Sequence, residues 1–166
     1  MDRQIILLNG PSSSGKSTLA KALQVLIEKK RAERYEVVSI DDFMTNDPME
    51  TIYEDDVFEI SGDMCRRAVE IMEAGSGVIV DHVITSERIF SQLKEATQAY
   101  CLRTVRVACP LQVLREREQE RGDRCPGSAE VSEKYLFPKD GYDLEIDTHL
   151  LLPEENARVI FDRLFL

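Results

Sequence analysis

Three groups of residues in this sequence have types and spacings that suit chemistry. The first is Gly10-Pro11-Ser12-Ser13-Ser14-Gly15-Lys16-Ser17, which satisfies G-x-x-x-x-G-K-[ST] without exception. Two glycines permit backbone angles and close approaches that a Cβ would block. Successive backbone N–H groups then converge on an anion, reinforced by the positive end of the helix that follows. A lysine at position 16 reaches the β/γ oxygens of a polyphosphate, and the Ser17 hydroxyl suits Mg²⁺. The loop as a whole (Gly10, Pro11, Ser12, Ser13, Ser14, Gly15, Lys16, Ser17 and Thr18) is therefore read as a nucleotide-phosphate site. It is silent about the acceptor.

The second group is a pair of aspartates, Asp41 in "VVSIDDF" and Asp81 in "GVIVDHV", each following an apolar run. In open parallel sheets, ligands sit beyond the carboxyl ends of the strands. One of these carboxylates could hold Mg²⁺ or its water shell, and the other could take a proton from an attacking hydroxyl. Asp81 is read as the metal-side carboxylate, with Ser17 as its hydroxyl partner. The third group is "LREREQERGDR". A run of charges is ordinarily a solvated helix face. Here Arg117, Arg121 and Arg124 recur at four and three residues, so a continuing helix would carry three cations on one face and end at Gly122. That arrangement suits a lid over a triphosphate, with Arg117 and Arg121 on the nucleotide.

From Asp41 to Cys65, both included, there is no Lys or Arg, and nine residues are acidic. Phe43, Met44, Met49, Ile52, Tyr53 and Phe58 are interspersed. A pocket built from this segment, of which Asp41, Phe43, Met44, Tyr53, Phe58 and Arg88 are the candidate contacts, would suit a neutral or cationic acceptor. An anionic acceptor needs an arginine clamp. Arg66, Arg67 and Arg88 could still reach in, so a nucleoside monophosphate is disfavoured rather than excluded.

The elements that must hold these groups alternate in type. Strands are expected at Gln4–Asn9, Tyr35–Ile40, Gly77–Val83, Leu102–Ala108 and in "YDLEIDT". Helices are expected at Lys16–Lys29, Met64–Glu73, Ser86–Ala96 with Ser86 as cap, from Pro110 in its first turn onward, and at Pro153–Phe165. The stretch Asp42–Ile60, with Pro48 in its middle, is expected to be irregular, and a Gly/Pro/Ser break follows the arginines. Strands separated by helices imply an α/β fold, with a parallel sheet covered on both faces. The 166 residues show no repeat or linker and are read as one domain, 1–166. Its parts are a phosphate loop at 10–18, a substrate segment at about 42–63 and a lid at about 115–135.

Composition narrows the function. A net charge of −10 argues against nucleic acid or an anionic membrane as partner. The four cysteines form no C-x-x-C pair and the two histidines are isolated, which argues against zinc. No secretory n-region precedes the first apolar run, so free thiols in the cytoplasm are expected.

Taken together, "IILLNGPSSSGKSTL", "SIDD", "GVIVDHV" and "RGDR" followed by "GYDLEIDT" resemble the chloramphenicol phosphotransferase family of P-loop small-molecule kinases. The last combination is the most specific, because phosphate loops alone are shared widely. The resemblance implies a three-layer α/β/α P-loop kinase fold with a five-stranded parallel sheet and a lid. It also implies transfer of the ATP γ-phosphate to a hydroxyl. Asp41 would be the base, with Lys16, Arg121 and Arg124 around the phosphates. The substrate segment is shorter and more acidic than in the resistance enzyme, which points to a small-molecule acceptor other than chloramphenicol as readily as to chloramphenicol itself. A nucleoside or nucleotide kinase has the same fold and competes with this reading. A nucleotide-dependent switch is disfavoured, since no D-x-x-G or N-K-x-D pattern follows the loop. An inactive protein retaining the phosphate loop stays open.

Overall fold

Gln4–Asn9 is apolar for four residues in a row and buried throughout, as a strand covered on both faces must be. It forms the centre (β1) of a five-stranded, wholly parallel sheet in the computed structural model, which describes residues 3–45, 47 and 50–166. Along the chain come α1 (Lys16–Arg31), β2 (Tyr35–Ser39), a 3₁₀ turn (Ile40–Phe43), α2 (Glu54–Glu73), β3 (Gly77–His82) and α3 (Glu87–Ala96). They are followed by β4 (Cys101–Ala108), α4 (Leu111–Arg121), α5 (Ser128–Tyr135), β5 (Leu144–Asp147) and α6 (Pro153–Phe165). The strand order is β2-β3-β1-β4-β5. Pro48 and Met49, noted in the sequence, lie outside the described residues.

Period-two alternation sorts the sheet into two cores. Ile6 and Leu8 of β1 face Leu19, Leu23 and Ile27 of α1 and Ile160, Phe161 and Leu164 of α6. Ile5 and Leu7 face the other way, onto Met64, Ala68 and Ile71 of α2 and Ile89 and Leu93 of α3. This is the three-layer α/β/α arrangement expected. A small third cluster, Cys109, Leu114 and Ala129, lies beneath α4 and α5. No helix among the described residues is long and apolar enough to cross a membrane.

The structure departs from the sequence reading in several places. α2 begins at Glu54, inside the stretch expected to be irregular, and ten residues before the expected Met64. Its first turn holds Glu54, Asp55 and Asp56, which favour the positive end of the helix, and the Asp56 carboxylate accepts from the Tyr53 N–H at 3.4 Å. The Gly/Pro/Ser break contains a helix, α5, whose first turn is capped from outside by Glu118. Finally, α4 ends at Arg121, where Gly122 turns the chain with φ +67°, so Arg124 leaves the helix rather than extending its face. Pro110 sits just before α4 rather than in its first turn. The Ser86 cap is as expected: its hydroxyl accepts from Ile89 N–H at 3.2 Å.

Candidate active site

The loop from Gly10 to Gly15 leaves the carboxyl end of β1 and enters α1 at Lys16. A Cβ on Gly10 would lie 2.5 Å from the Val107 carbonyl oxygen of β4, so only glycine lets the loop begin there. Ser13 and Gly15 both adopt left-handed backbone angles. Lys16 curls over the loop and donates to the Pro11 carbonyl at 2.9 Å and the Ser14 hydroxyl at 3.4 Å. The ammonium is buried, and that burial pulls its pKa below the ordinary lysine value. Asp81 and Asp41 oppose the shift, while Arg121 and Arg124 add to it.

Asp81, at the end of β3, is buried and accepts from the Ser17 hydroxyl at 2.7 Å and from the Ser39 hydroxyl at 3.3 Å. Two hydroxyls and a carboxylate form an all-oxygen donor set, the kind a hard cation prefers. Among the described residues there is no cluster of three or more His, Cys, Asp or Glu that would cage a metal without help. Next to Asp81, His82 is fully buried and its pKa is pushed down to about 3, chiefly by burial and then by Lys16. Its Nδ1 accepts from the Val83 N–H at 2.8 Å, so the ring proton belongs on Nε2, 3.1 Å from the Ser61 hydroxyl.

Asp41 sits in the 3₁₀ turn after β2, and Arg124 donates to its Oδ2 at 2.8 Å. Arg117 binds the Ser14 carbonyl at 3.2 Å and Thr148 through its hydroxyl and carbonyl at 3.1 and 3.2 Å. Arg121 pairs with Asp123 at 3.2 Å. All three arginines, together with Ser12, Ser13, Lys16, Ser17, Thr18, Asp41 and Asp81, line one cleft of about 1280 Å³. That exceeds the roughly 300–1,000 Å³ typical of a single-ligand pocket, leaving room for two molecules.

Of the candidate acceptor contacts, the cleft takes in Asp41 and Met44 but not Phe43, Tyr53, Phe58 or Arg88. Phe43 and Phe58 pack against the core under α2 and α3, and Tyr53 is exposed. Arg88 pairs with Glu54 and Asp55 at 2.9 and 2.5 Å, with its guanidinium 3.8 Å above the Phe58 ring. Several residues of the site were not singled out from sequence: Ser39, which donates to Asp81, and, lining the cleft, Thr148 just after β5 and Ser132 on α5. The principle that drew attention to the aspartates, polar residues at carboxyl ends of strands, reaches Ser39 and Thr148 as well.

The fold is shared with solved proteins of low sequence identity, kinases among them. The Mycobacterium tuberculosis APS kinase, solved in complex with AMPPNP and APS, superposes with a TM-score of 0.78 at 18% identity, covering 98% of both chains. A gluconokinase from Sinorhizobium meliloti gives 0.73 at 17% identity, covering 98% of this chain and 91% of that one. The Deinococcus radiodurans tunicamycin resistance protein gives 0.67 at 22% identity, covering 99% and 96%. No curated protein matches in sequence. The sequence profile of the chloramphenicol phosphotransferase-like proteins, however, matches residues 3–165, which is almost the whole chain. The chain belongs to the chloramphenicol phosphotransferase-like family, and is a phosphotransferase of the P-loop kinase fold.

Proposed function

We propose that the protein transfers the γ-phosphate of ATP to a hydroxyl of a small molecule, a chloramphenicol-like antibiotic or another hydroxylated metabolite. The observation that carries the reading is a single cleft with Lys16, Ser17 and Asp81 on its floor, and Asp41 and Arg124 paired across it. The loop Gly10–Thr18 cradles the phosphates through its backbone N–H groups, and Lys16 neutralises the β/γ oxygens. Ser17 and Asp81 are the residues that would hold Mg²⁺, which would offset phosphate charge there. The exposed Leu150 and Leu152 at the far wall offer an apolar surface to the nucleotide base.

Asp41 orients the acceptor hydroxyl and receives its proton as the O–P bond forms. The lid, residues 115–135 of the single domain 1–166, carries Arg117, Arg121 and Arg124 over the transferring group and stabilises its charge. Residues 42–63 form the acceptor side. The cleft wall there is Met44, Glu50, Thr51, Ile52, Val57, Val83 and Thr85, with no Lys or Arg among them. That favours an uncharged acceptor over a nucleoside monophosphate. The net charge of −10 fits a cytoplasmic protein that engages neither nucleic acid nor membrane.

The test is acceptor-dependent ADP release from Mg·ATP across a panel of hydroxylated antibiotics, sugars, nucleosides and nucleoside monophosphates. Release with a neutral alcohol is expected. Release with nucleoside monophosphates alone, or slow GTP hydrolysis that no acceptor accelerates, would overturn the reading.

A further inference from the structure

The lid helix α5 touches the phosphate loop at one backbone amide. The Ser12 N–H donates to the Ser132 hydroxyl at 3.0 Å, and that hydroxyl donates in turn to the Ala129 carbonyl at 3.0 Å. Both hydrogen-bonding roles of a buried side chain are thereby used. On the other side of the same peptide, the Pro11 carbonyl accepts from Lys16 Nζ at 2.9 Å and from the Ser14 N–H at 3.3 Å. The Pro11–Ser12 bond is trans, the single cis bond among the described residues being Phe137–Pro138. A trans peptide points its C=O and N–H in opposite directions. Whatever orients the N–H therefore orients the carbonyl on which Lys16 rests.

The chain of contacts continues into the lid. Glu118 of α4 is buried, and its two carboxylate oxygens accept from Gly127 N–H at 3.0 Å and Ala129 N–H at 2.8 Å. Those bonds fix the first turn of α5, and with it the place of Ser132. Hydrogen bonds in series polarise one another, so a donor bond at Ser12 strengthens the Pro11 carbonyl as an acceptor for the ammonium.

We propose that Ser132 is a positioning residue for Lys16. It acts through the Pro11–Ser12 peptide, so that seating of the lid helix and placement of the phosphate-binding lysine are one event. The inference rests on the nucleotide-binding reading above for its consequence, though not for its geometry.

The experiment compares wild type, Ser132→Ala and Ser132→Thr by calorimetric titration with Mg·AMPPNP and, separately, with adenosine. Loss of one such bond corresponds to roughly a two- to tenfold change. Ser132→Ala is expected to weaken AMPPNP by about five- to tenfold, to move adenosine by less than about twofold, and to be rescued by threonine. Equal weakening of both ligands would assign Ser132 a merely structural role and overturn the proposal, as would AMPPNP affinity unchanged in the alanine variant. Amide exchange of Ser12 in the free protein is measured alongside, and is expected to rise at least about tenfold in Ser132→Ala, with unchanged exchange counting against the contact. If wild type itself failed to bind AMPPNP, the proposed function would fall, while the exchange result still decides whether Ser132 holds the loop.

Discussion

Asp41→Asn separates a base from a mere lid contact, because the two roles predict losses of different size. Asp41 is bound by Arg124 at 2.8 Å, with side chains 49% and 23% exposed. Pairs this open to solvent are worth about 0–1 kcal/mol. Replacing the carboxylate by an amide of nearly the same shape therefore costs at most about 1 kcal/mol, or roughly 2–4 °C in Tm for a chain of this size. Loss of a positioned general base costs about 10²–10⁴ in rate, equivalent to roughly 3–5 kcal/mol in the barrier. The measurements are ADP release with the acceptor that responds in the panel, melting temperature, and AMPPNP affinity. The expected pattern is turnover down at least about a hundredfold, Tm nearly unchanged and nucleotide affinity within about threefold of wild type. Turnover within tenfold of wild type would remove Asp41 as the base.

Acid stability gives a second check. The folded pKa of His82 lies near 3, against about 6.5 for a free imidazole, so below pH 6.5 the unfolded chain takes up a proton that the folded one refuses. Stability contributed by neutral His82 is thus present above pH 6.5 and falls by up to about 1.4 kcal/mol per pH unit below it. Urea unfolding at pH 7 and pH 5 is expected to show wild type losing about 2 kcal/mol more than His82→Gln; equal losses would place the titration elsewhere. Gly10→Ala drives a Cβ to 2.5 Å from a β4 carbonyl that the sheet holds in place, and to 2.9 Å from Val107 Cβ. It is expected to destabilise by about 1–3 kcal/mol, visible as a lowered Tm, and an unaltered Tm would mean that the loop does not press on β4.

Much of the donor side was legible in the sequence because its signals are local. The spacing Gly10, Gly15, Lys16, Ser17 is contiguous, and the strands that flank it are uninterrupted apolar runs whose burial permits little else. The strand ends then brought Asp41 and Asp81 into one cleft with the loop. The lid was legible in charge but not in shape. A rise in helix propensity does not mark Ser128–Tyr135, because its first turn is held by Glu118, nine and eleven residues away. Nor does the i, i+4, i+7 spacing of the arginines survive Gly122, which sends Arg124 to Asp41 and leaves Arg117 on Ser14 and Thr148. Such contacts depend on where elements meet, which spacing along the chain does not encode.

On the acceptor side, composition and structure offer different reasons for the same proposal. The acidic stretch after Asp41 suggested a pocket hostile to anions. Yet Glu54 and Asp55 are spent on the start of α2 and on Arg88, Asp56 caps Tyr53, and Asp63 pairs with Arg66. Apart from Asp41, the anion of that stretch on the cleft wall is Glu50. The wall proposed to meet an acceptor is accordingly more apolar than the segment that supplies it, with Met44, Ile52 and Val57 joined by Val83 from the β3 end. On the proposed reading, selection against phosphorylated acceptors would come less from repulsion by many carboxylates than from the lack, among the described residues, of a cation on that wall. An anion entering there would lose hydration without a partner, a cost of several kcal/mol, whereas a neutral alcohol loses little and gains contact. On that reading the same wall would favour acceptors whose hydroxyl sits on an apolar frame, with Asp41 to take the hydroxyl's proton and Arg124 as the cation already paired to Asp41.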